Sequence, residues 1–63
     1  MSLASVHEVQ LQNDELDIVM ELLERELRGL PVEIHHTYHK EFRDQLRSRL
    51  KLVEELLQRL QAA

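Results

Sequence analysis

The sequence predicts an all-α protein, an antiparallel hairpin of two helices that pairs with further copies of itself into a four-helix bundle. Three observations lead to this fold class. The chain has only 63 residues, apolar residues recur at helical spacing in two long segments, and these segments hold more apolar positions than one hairpin can bury. Together they predict a dimer or a higher oligomer.

Length and composition exclude several classes of protein. Below about 70–80 residues, one core rarely stabilises a fold without disulfides, a metal or oligomerisation. The chain has no cysteine, which removes disulfides and thiolate zinc sites. Hydrophobic residues make up 43% of the chain, which is more than a disordered segment carries. Oligomerisation is therefore the expected route to stability.

Charge and hydropathy give expectations about location and partners. No apolar run approaches the roughly 18 residues of a membrane span, and no signal peptide is recognised. We therefore expect a cytoplasmic protein that does not enter a membrane. The formal net charge is −4, which argues against nucleic acid as a partner because nucleic-acid binders carry a basic surface.

Residues 1–12 are expected to form an N-terminal arm. Val9 and Leu11 alternate with polar neighbours, so residues 6–11 are a possible extended segment. A lone strand is unstable. This segment would have to pair with its own copy in a second chain, or lie over the helices.

The first helix is expected over about residues 13–36, with Asn13 as its N-cap. A heptad-like seam of apolar residues runs from Leu16 to Ile34 at alternating spacings of four and three. The adjoining Gly29-Leu30-Pro31 predicts a kink or break, since proline inside a helix costs roughly 3 kcal/mol. Alternating apolar and polar residues just after it leave extended structure as an alternative.

The second helix is expected over about residues 38–61, with Thr37 as its N-cap. Its apolar stripe runs from Phe42 to Leu60, and no Gly or Pro interrupts it. The two helices, joined by a short turn, would make a single domain over residues 13–61, followed by a two-residue tail, 62–63.

Both apolar stripes are wider than a two-helix contact requires, because Leu22, Leu52 and Leu56 broaden them. Monomeric proteins avoid the exposed apolar patch that would result. A second copy would cover it, and a heterologous helical partner is the alternative. The predicted oligomer interface consists of Leu16, Met20, Leu23, Leu27, Leu30, Phe42, Leu46, Leu50, Val53, Leu57 and Leu60.

The region around the turn carries a resemblance. Val-Glu-Ile-His-His-Thr at 32–37 is followed by Phe-Arg at 42–43. This resembles small uncharacterised bacterial proteins and domains in which a hydrophobic-Glu-Ile-x-x-Thr-Asp turn and an aromatic-Arg pair separate two leucine-rich helices. The resemblance covers most of residues 9–61 and implies a helical hairpin, but no function. Tyr38 replaces the family's aspartate, so the capping box with Glu41 is incomplete and the threonine is expected to cap alone.

His35, His36 and His39 are the candidate metal ligands. On a continuous helix His35 and His39 would lie one turn apart, a spacing that can hold a transition metal. No acid lies between them as in a zincin motif. Ordinary turn and cap roles are the favoured interpretation.

Arg43, Arg47 and Lys51 recur at intervals of four and form a basic ridge on the second helix. The ridge is a candidate for binding an anionic partner. It is equally suited to neutralising the acidic first helix of a neighbouring chain. The second interpretation is favoured, because the chain is acidic overall and has no stacking aromatics near the ridge.

The sequence carries no recognisable catalytic site. It has no cysteine nucleophile, no glycine-rich loop, and no hydroxyl with a recognisable base partner. We therefore expect no enzyme activity, no catalytic residue and no cofactor. The function predicted is a self-associating structural or protein-interaction module. Metal or small-ligand binding through the histidine turn, and weak anion binding through the basic ridge, are the alternatives.

Overall fold

The structure, a computed structural model, describes residues 5–63 and consists of two helices packed against each other. Helix α1 spans Asn13–His35 and helix α2 spans Lys40–Ala62. The four residues 36–39 connect them, and the described range contains no strand. The predicted all-α hairpin is confirmed, with α2 beginning two residues later than expected and ending one residue later.

The N-terminal arm is described from residue 5 onward, and residues 1–4 of it lie outside the described range. Residues 5–12 adopt neither helix nor strand, and every one of them is exposed. Within one copy, the possible extended segment 6–11 is thus neither paired as a strand nor packed over the helices.

Helix α1 begins one residue earlier than the predicted cap implies. Gln12, in extended backbone conformation, occupies the N-cap position, and Asn13 is already helical. The backbone N–H of Gln12 donates a hydrogen bond to Oε1 of Glu15 at 2.8 Å. A glutamate at this position can satisfy the cap's own N–H, so the helix starts without the favoured asparagine cap.

Helix α1 continues through Gly29 and Pro31. Of the predicted kink or break, the break is therefore wrong, and so is extended structure for residues 32–35, which are helical. Pro31 has no N–H to donate to the carbonyl of Leu27, which leaves one intrahelical bond unmade. Leu30 is nevertheless the most buried core residue, at 2% exposure, and Ile34 packs against the same core one turn later. Burial on both sides of the proline holds the helix together across it.

Thr37 hydrogen-bonds back to the last turn of α1 and does not cap α2, so the prediction of Thr37 as the N-cap of α2 is wrong. Its hydroxyl Oγ1 donates a hydrogen bond to the carbonyl of Glu33 at 2.6 Å. The N-cap of α2 is His39, whose carbonyl accepts the first helical bond from the N–H of Arg43 at 2.9 Å. No side chain caps this helix start.

The core lies along the line where the two helices face each other. Leu30, Leu46 and Val53 form its centre, and Leu57 is buried as well. The half-buried side chains that pack against the centre are Leu23, Leu27, Ile34 and Leu50. All of these are apolar positions that the helical spacing predicted.

The molecule is a slab one helix layer thick. It measures 40 × 27 × 15 Å, and the shortest dimension is close to the diameter of one helix. Most domains bury their core between two packed layers. Here both broad sides of the single layer meet solvent.

Candidate functional site

The three candidate metal ligands lie around the turn but do not converge. His35 is the last residue of α1, His36 follows it, and His39 precedes α2. The rings of His35 and His36 stand edge to face, with centroids 5.3 Å apart. Residues 5–63 contain no group of three or more His, Cys, Asp or Glu side chains that could hold a metal. Within the described residues, the three histidines of this turn are therefore not part of a cluster that could bind a metal.

The basic ridge is divided by the structure. Arg43 and Arg47 line a groove that runs between the two helices near the turn, and Lys51 does not line it. We call this the arginine groove. Its lining residues are Pro31, Ile34 and His35 from α1, and Arg43, Arg47 and Leu50 from α2.

Arg43 is the arginine-groove residue with a buried, unpaired side-chain nitrogen. Its side chain is half-buried, and its Nε atom is buried without a hydrogen-bond acceptor. A buried N–H that is left unpaired costs free energy, and the cost is greater for a charged group. The guanidinium group of Arg43, which lines the groove, therefore has one N–H donor that no described residue uses.

Asp44 lies beside the groove and interacts with its cations. Its Oδ2 accepts a hydrogen bond from Nζ of Lys40 at 2.9 Å, and its Oδ1 lies 3.7 Å from Nη1 of Arg47. The hydrogen bond from Lys40 is the main cause of the lowered pKa of Asp44. Partial desolvation acts in the opposite direction, and the positive charges of Lys40, Arg47 and Arg43 lower the pKa further. Lys40 is thus the closest partner of this carboxylate.

The opposite side of the hairpin carries an ion pair that joins the two helices. Nε of Arg49 in α2 donates to Oε1 of Glu26 in α1. Residues 23 positions apart are brought together by the antiparallel register. Sequence reasoning missed this pair, since its only signal is opposite charges at positions whose meeting depends on the length of the turn.

Helical spacing places five apolar residues on the same side of the hairpin as this ion pair. Val19 and Leu22 precede Glu26 by seven and four positions, and such spacings return a helix to nearly the same side. On α2, Phe42 lies seven positions before Arg49, and Leu52 and Leu56 lie three and seven positions after it. These spacings again return the helix to nearly the same side. We call these five the leucine face: Val19, Leu22, Phe42, Leu52 and Leu56.

The leucine face is largely open to solvent. Leu22 is 54% exposed, Phe42 49% and Leu52 67%, while Val19 and Leu56 are half-buried. The face includes Leu22, Leu52 and Leu56, the three residues that were predicted to make the apolar stripes wider than one hairpin can bury. Ile18, 56% exposed and four positions before Leu22, borders it and was not predicted.

The residues of the predicted oligomer interface lie mostly inside the single hairpin. Leu30, Leu46, Val53 and Leu57 are buried there, and Phe42 is exposed. The half-buried members are Leu16, Met20, Leu23, Leu27, Leu50 and Leu60. One copy thus already covers much of both seams and leaves the leucine face uncovered.

Neither described helix has an apolar stretch of the length and composition needed to cross a membrane. No family model, no curated protein and no solved structure matches the chain. The arginine groove and the leucine face are therefore interpreted from their own geometry.

Proposed function

We propose that this chain is a self-associating helical module, two copies of which pack through their leucine faces into a four-helix bundle. The observation that carries the proposal is the gathering of exposed Leu22, Phe42 and Leu52 on one side of the hairpin. Exposed large apolar residues gathered on one side of a small protein are typical of an interaction surface.

The thickness of the molecule supports this proposal. A slab 15 Å thick has no second layer against which to bury its broad side. A second hairpin laid on the leucine face would supply that layer and complete the usual bundle of four helices. Because a two-fold axis brings the same patch of both copies together, one face is enough for a closed dimer.

The ion pair of Glu26 and Arg49 would lie within this interface. Both charges are already paired inside one copy, so covering them leaves no isolated charge. A polar pair in an apolar contact favours one arrangement of the helices over slipped ones, as polar residues do in coiled coils. We therefore expect a defined dimer.

The experiment is a measurement of molar mass in solution, by light scattering after size-exclusion chromatography, with Leu22→Gln/Leu52→Gln as the test variant. We expect about twice 7.5 kDa for the natural chain and the monomer mass for the variant. Val32→Gln is the matched control. Val32 is also apolar and 59% exposed, but lies nine positions after Leu23, on the side of α1 that faces away from α2.

Two results would contradict the proposal. One is a folded natural chain that stays monomeric at micromolar concentration, which would favour a heterologous helical partner for the same face. The other is a dimer that survives in the double variant, which would place the contact elsewhere on the hairpin. Circular dichroism of each variant establishes that it remains helical.

A further inference from the structure

We infer that the arginine groove is a binding site for a phosphate group. The inference is independent of the proposed dimer, because the groove lies on the other side of the hairpin. His35 of the groove follows Glu26 of the ion pair by nine positions, or two and a half helical turns, so the two lie on opposite sides of α1. Arg47 of the groove precedes Arg49 of the ion pair by two positions, a rotation of more than half a turn, so these two lie on opposite sides of α2.

The first support is the state of Arg43. Its Nε is buried and has no acceptor among the described residues. The guanidinium fork pairs with two oxygens of a phosphate or carboxylate through parallel N–H donors. If the guanidinium group turns to pair with an oxyanion in the groove, this donor gains the acceptor that the described residues do not provide.

The second support is the charge balance of the groove. Asp44 is the acid that interacts with both groove arginines, and Lys40 binds it more closely than Arg47 does. At 3.7 Å, the contact between Asp44 and Arg47 is too long for a hydrogen bond. Because the charges of Lys40 and Asp44 cancel, Arg43 and Arg47 together keep a charge of +2. A phosphate group carries about −1.5 to −2 at neutral pH, which a carboxylate does not reach.

The third support is the shape of the groove. Pro31, Ile34 and Leu50 line it with apolar surface beside the two arginines. Next to such surface the effective dielectric is lower than in water, so an ion pair is stronger there than on an open helix. His35 brings an imidazole from α1 to the same groove, so that ligand-binding groups come from both helices.

The experiment is a titration of the full chain with inorganic phosphate at constant ionic strength, followed by NMR through the Nε–Hε signals of the arginines. We expect a saturable shift of the Arg43 signal. Arg43→Gln and Arg47→Gln are each expected to weaken binding about tenfold, because each removes a charge-assisted hydrogen bond. Arg43→Lys is expected to weaken it as well, since it keeps the charge but loses the fork.

Matched controls separate the groove from general attraction to positive charge. Lys51→Gln removes the ridge cation that does not line the groove, and Arg59→Gln removes one near the end of α2. Both are expected to leave phosphate affinity unchanged. The Leu22→Gln/Leu52→Gln variant is expected to bind phosphate normally, which separates this proposal from that of the dimer.

Three further ligands identify the class of anion. O-phosphoserine, an organic phosphate, is expected to bind like inorganic phosphate, whereas acetate and chloride are expected to bind much more weakly. The inference is overturned if chloride shifts the Arg43 signal as phosphate does, or if acetate binds equally well. It is also overturned if phosphate gives no saturable shift, or if Lys51→Gln weakens binding as much as Arg43→Gln.

Discussion

Glu26 in α1 accepts a hydrogen bond from Arg49 in α2, and in the described part of the chain this is the ion pair that spans the two helices. The antiparallel register that brings these two side chains together also places Leu22 and Leu52 on the same side of the hairpin. The other ion pairs of residues 5–63 lie within α2, between Asp44 and its neighbours at three and four positions. The pair therefore marks the middle of the leucine face.

The ion pair is expected to stabilise the hairpin weakly. The side chain of Arg49 is 63% exposed and that of Glu26 34%, so solvent screens their attraction. A double-mutant cycle with Glu26→Gln and Arg49→Gln should give a coupling of about 0.2–1 kcal/mol when the chain is monomeric. Urea unfolding in the Leu22→Gln/Leu52→Gln background measures it. Strictly additive single effects would show that the pair does not stabilise the hairpin.

Replacement of Gly29 by alanine is expected to stabilise the chain. Gly29 lies inside α1, and a Cβ atom built there meets nothing within 4 Å. Glycine in a helix interior costs roughly 0.5–1 kcal/mol relative to alanine, so Gly29→Ala should raise the free energy of unfolding by about that amount. Denaturant unfolding provides the measurement. A decrease would contradict the expectation and would indicate that a second copy approaches α1 at this position.

Replacement of Thr37 by valine is expected to weaken the end of α1. The hydroxyl of Thr37 donates to the carbonyl of Glu33, and valine keeps the shape while losing that donor. The loss should be about 0.5–1.5 kcal/mol in the free energy of unfolding. Thr37→Ser is the matched control, since it keeps the hydroxyl. Equal losses in the two variants would argue against a role for this bond.

The stabilising effect of Asp44 is expected to depend on pH. Its pKa in the folded chain lies below the ordinary value of 3.8, through the hydrogen bond from Lys40 and the nearby positive charges. A lowered carboxyl pKa means that the ionised form stabilises the fold above the ordinary pKa, and that this contribution is lost as the pH falls through the lowered one. Asp44→Asn should therefore melt at a lower temperature at pH 7.

The melting temperatures of Asp44→Asn and the natural chain should converge as the pH falls below the ordinary carboxyl value. Melting curves at pH 7 and pH 3, followed by circular dichroism, make the comparison. Asp17→Asn is a suitable control, because Asp17 is also an exposed acid on a helix but forms none of the ion pairs found in residues 5–63. A difference for Asp44 that stays constant with pH would contradict the expectation.

The sequence predicted the features that depend on local periodicity. Both seams are correct apart from Phe42, which is exposed. A residue such as Leu30 or Val53 lies on the side that its helical position dictates. Local chemistry was less decisive at the helix ends. A threonine hydroxyl can cap the following helix or bond back to the carbonyl four residues earlier, and Thr37 does the second.

Features that depend on tertiary packing were not predictable. The local cost of Pro31 indicated a kink or a break, but α1 is unbroken because Leu30 and Ile34, on either side of the proline, pack in the core. Arg43, Arg47 and Lys51 were predicted to form one basic surface. Packing of α1 against α2 forms a groove that Arg43 and Arg47 line and Lys51 does not. The contact between the helices decides these details, and its register cannot be derived from either helix alone.

The connection between the helices is only four residues long, residues 36–39, and this has a kinetic consequence. The entropy lost in closing so short a loop is small, so a chain can form its hairpin without waiting for any other molecule. Pairing of two hairpins is a separate encounter whose rate grows with the number of chains present. The abundance of the protein would then decide how much of it has its apolar side covered.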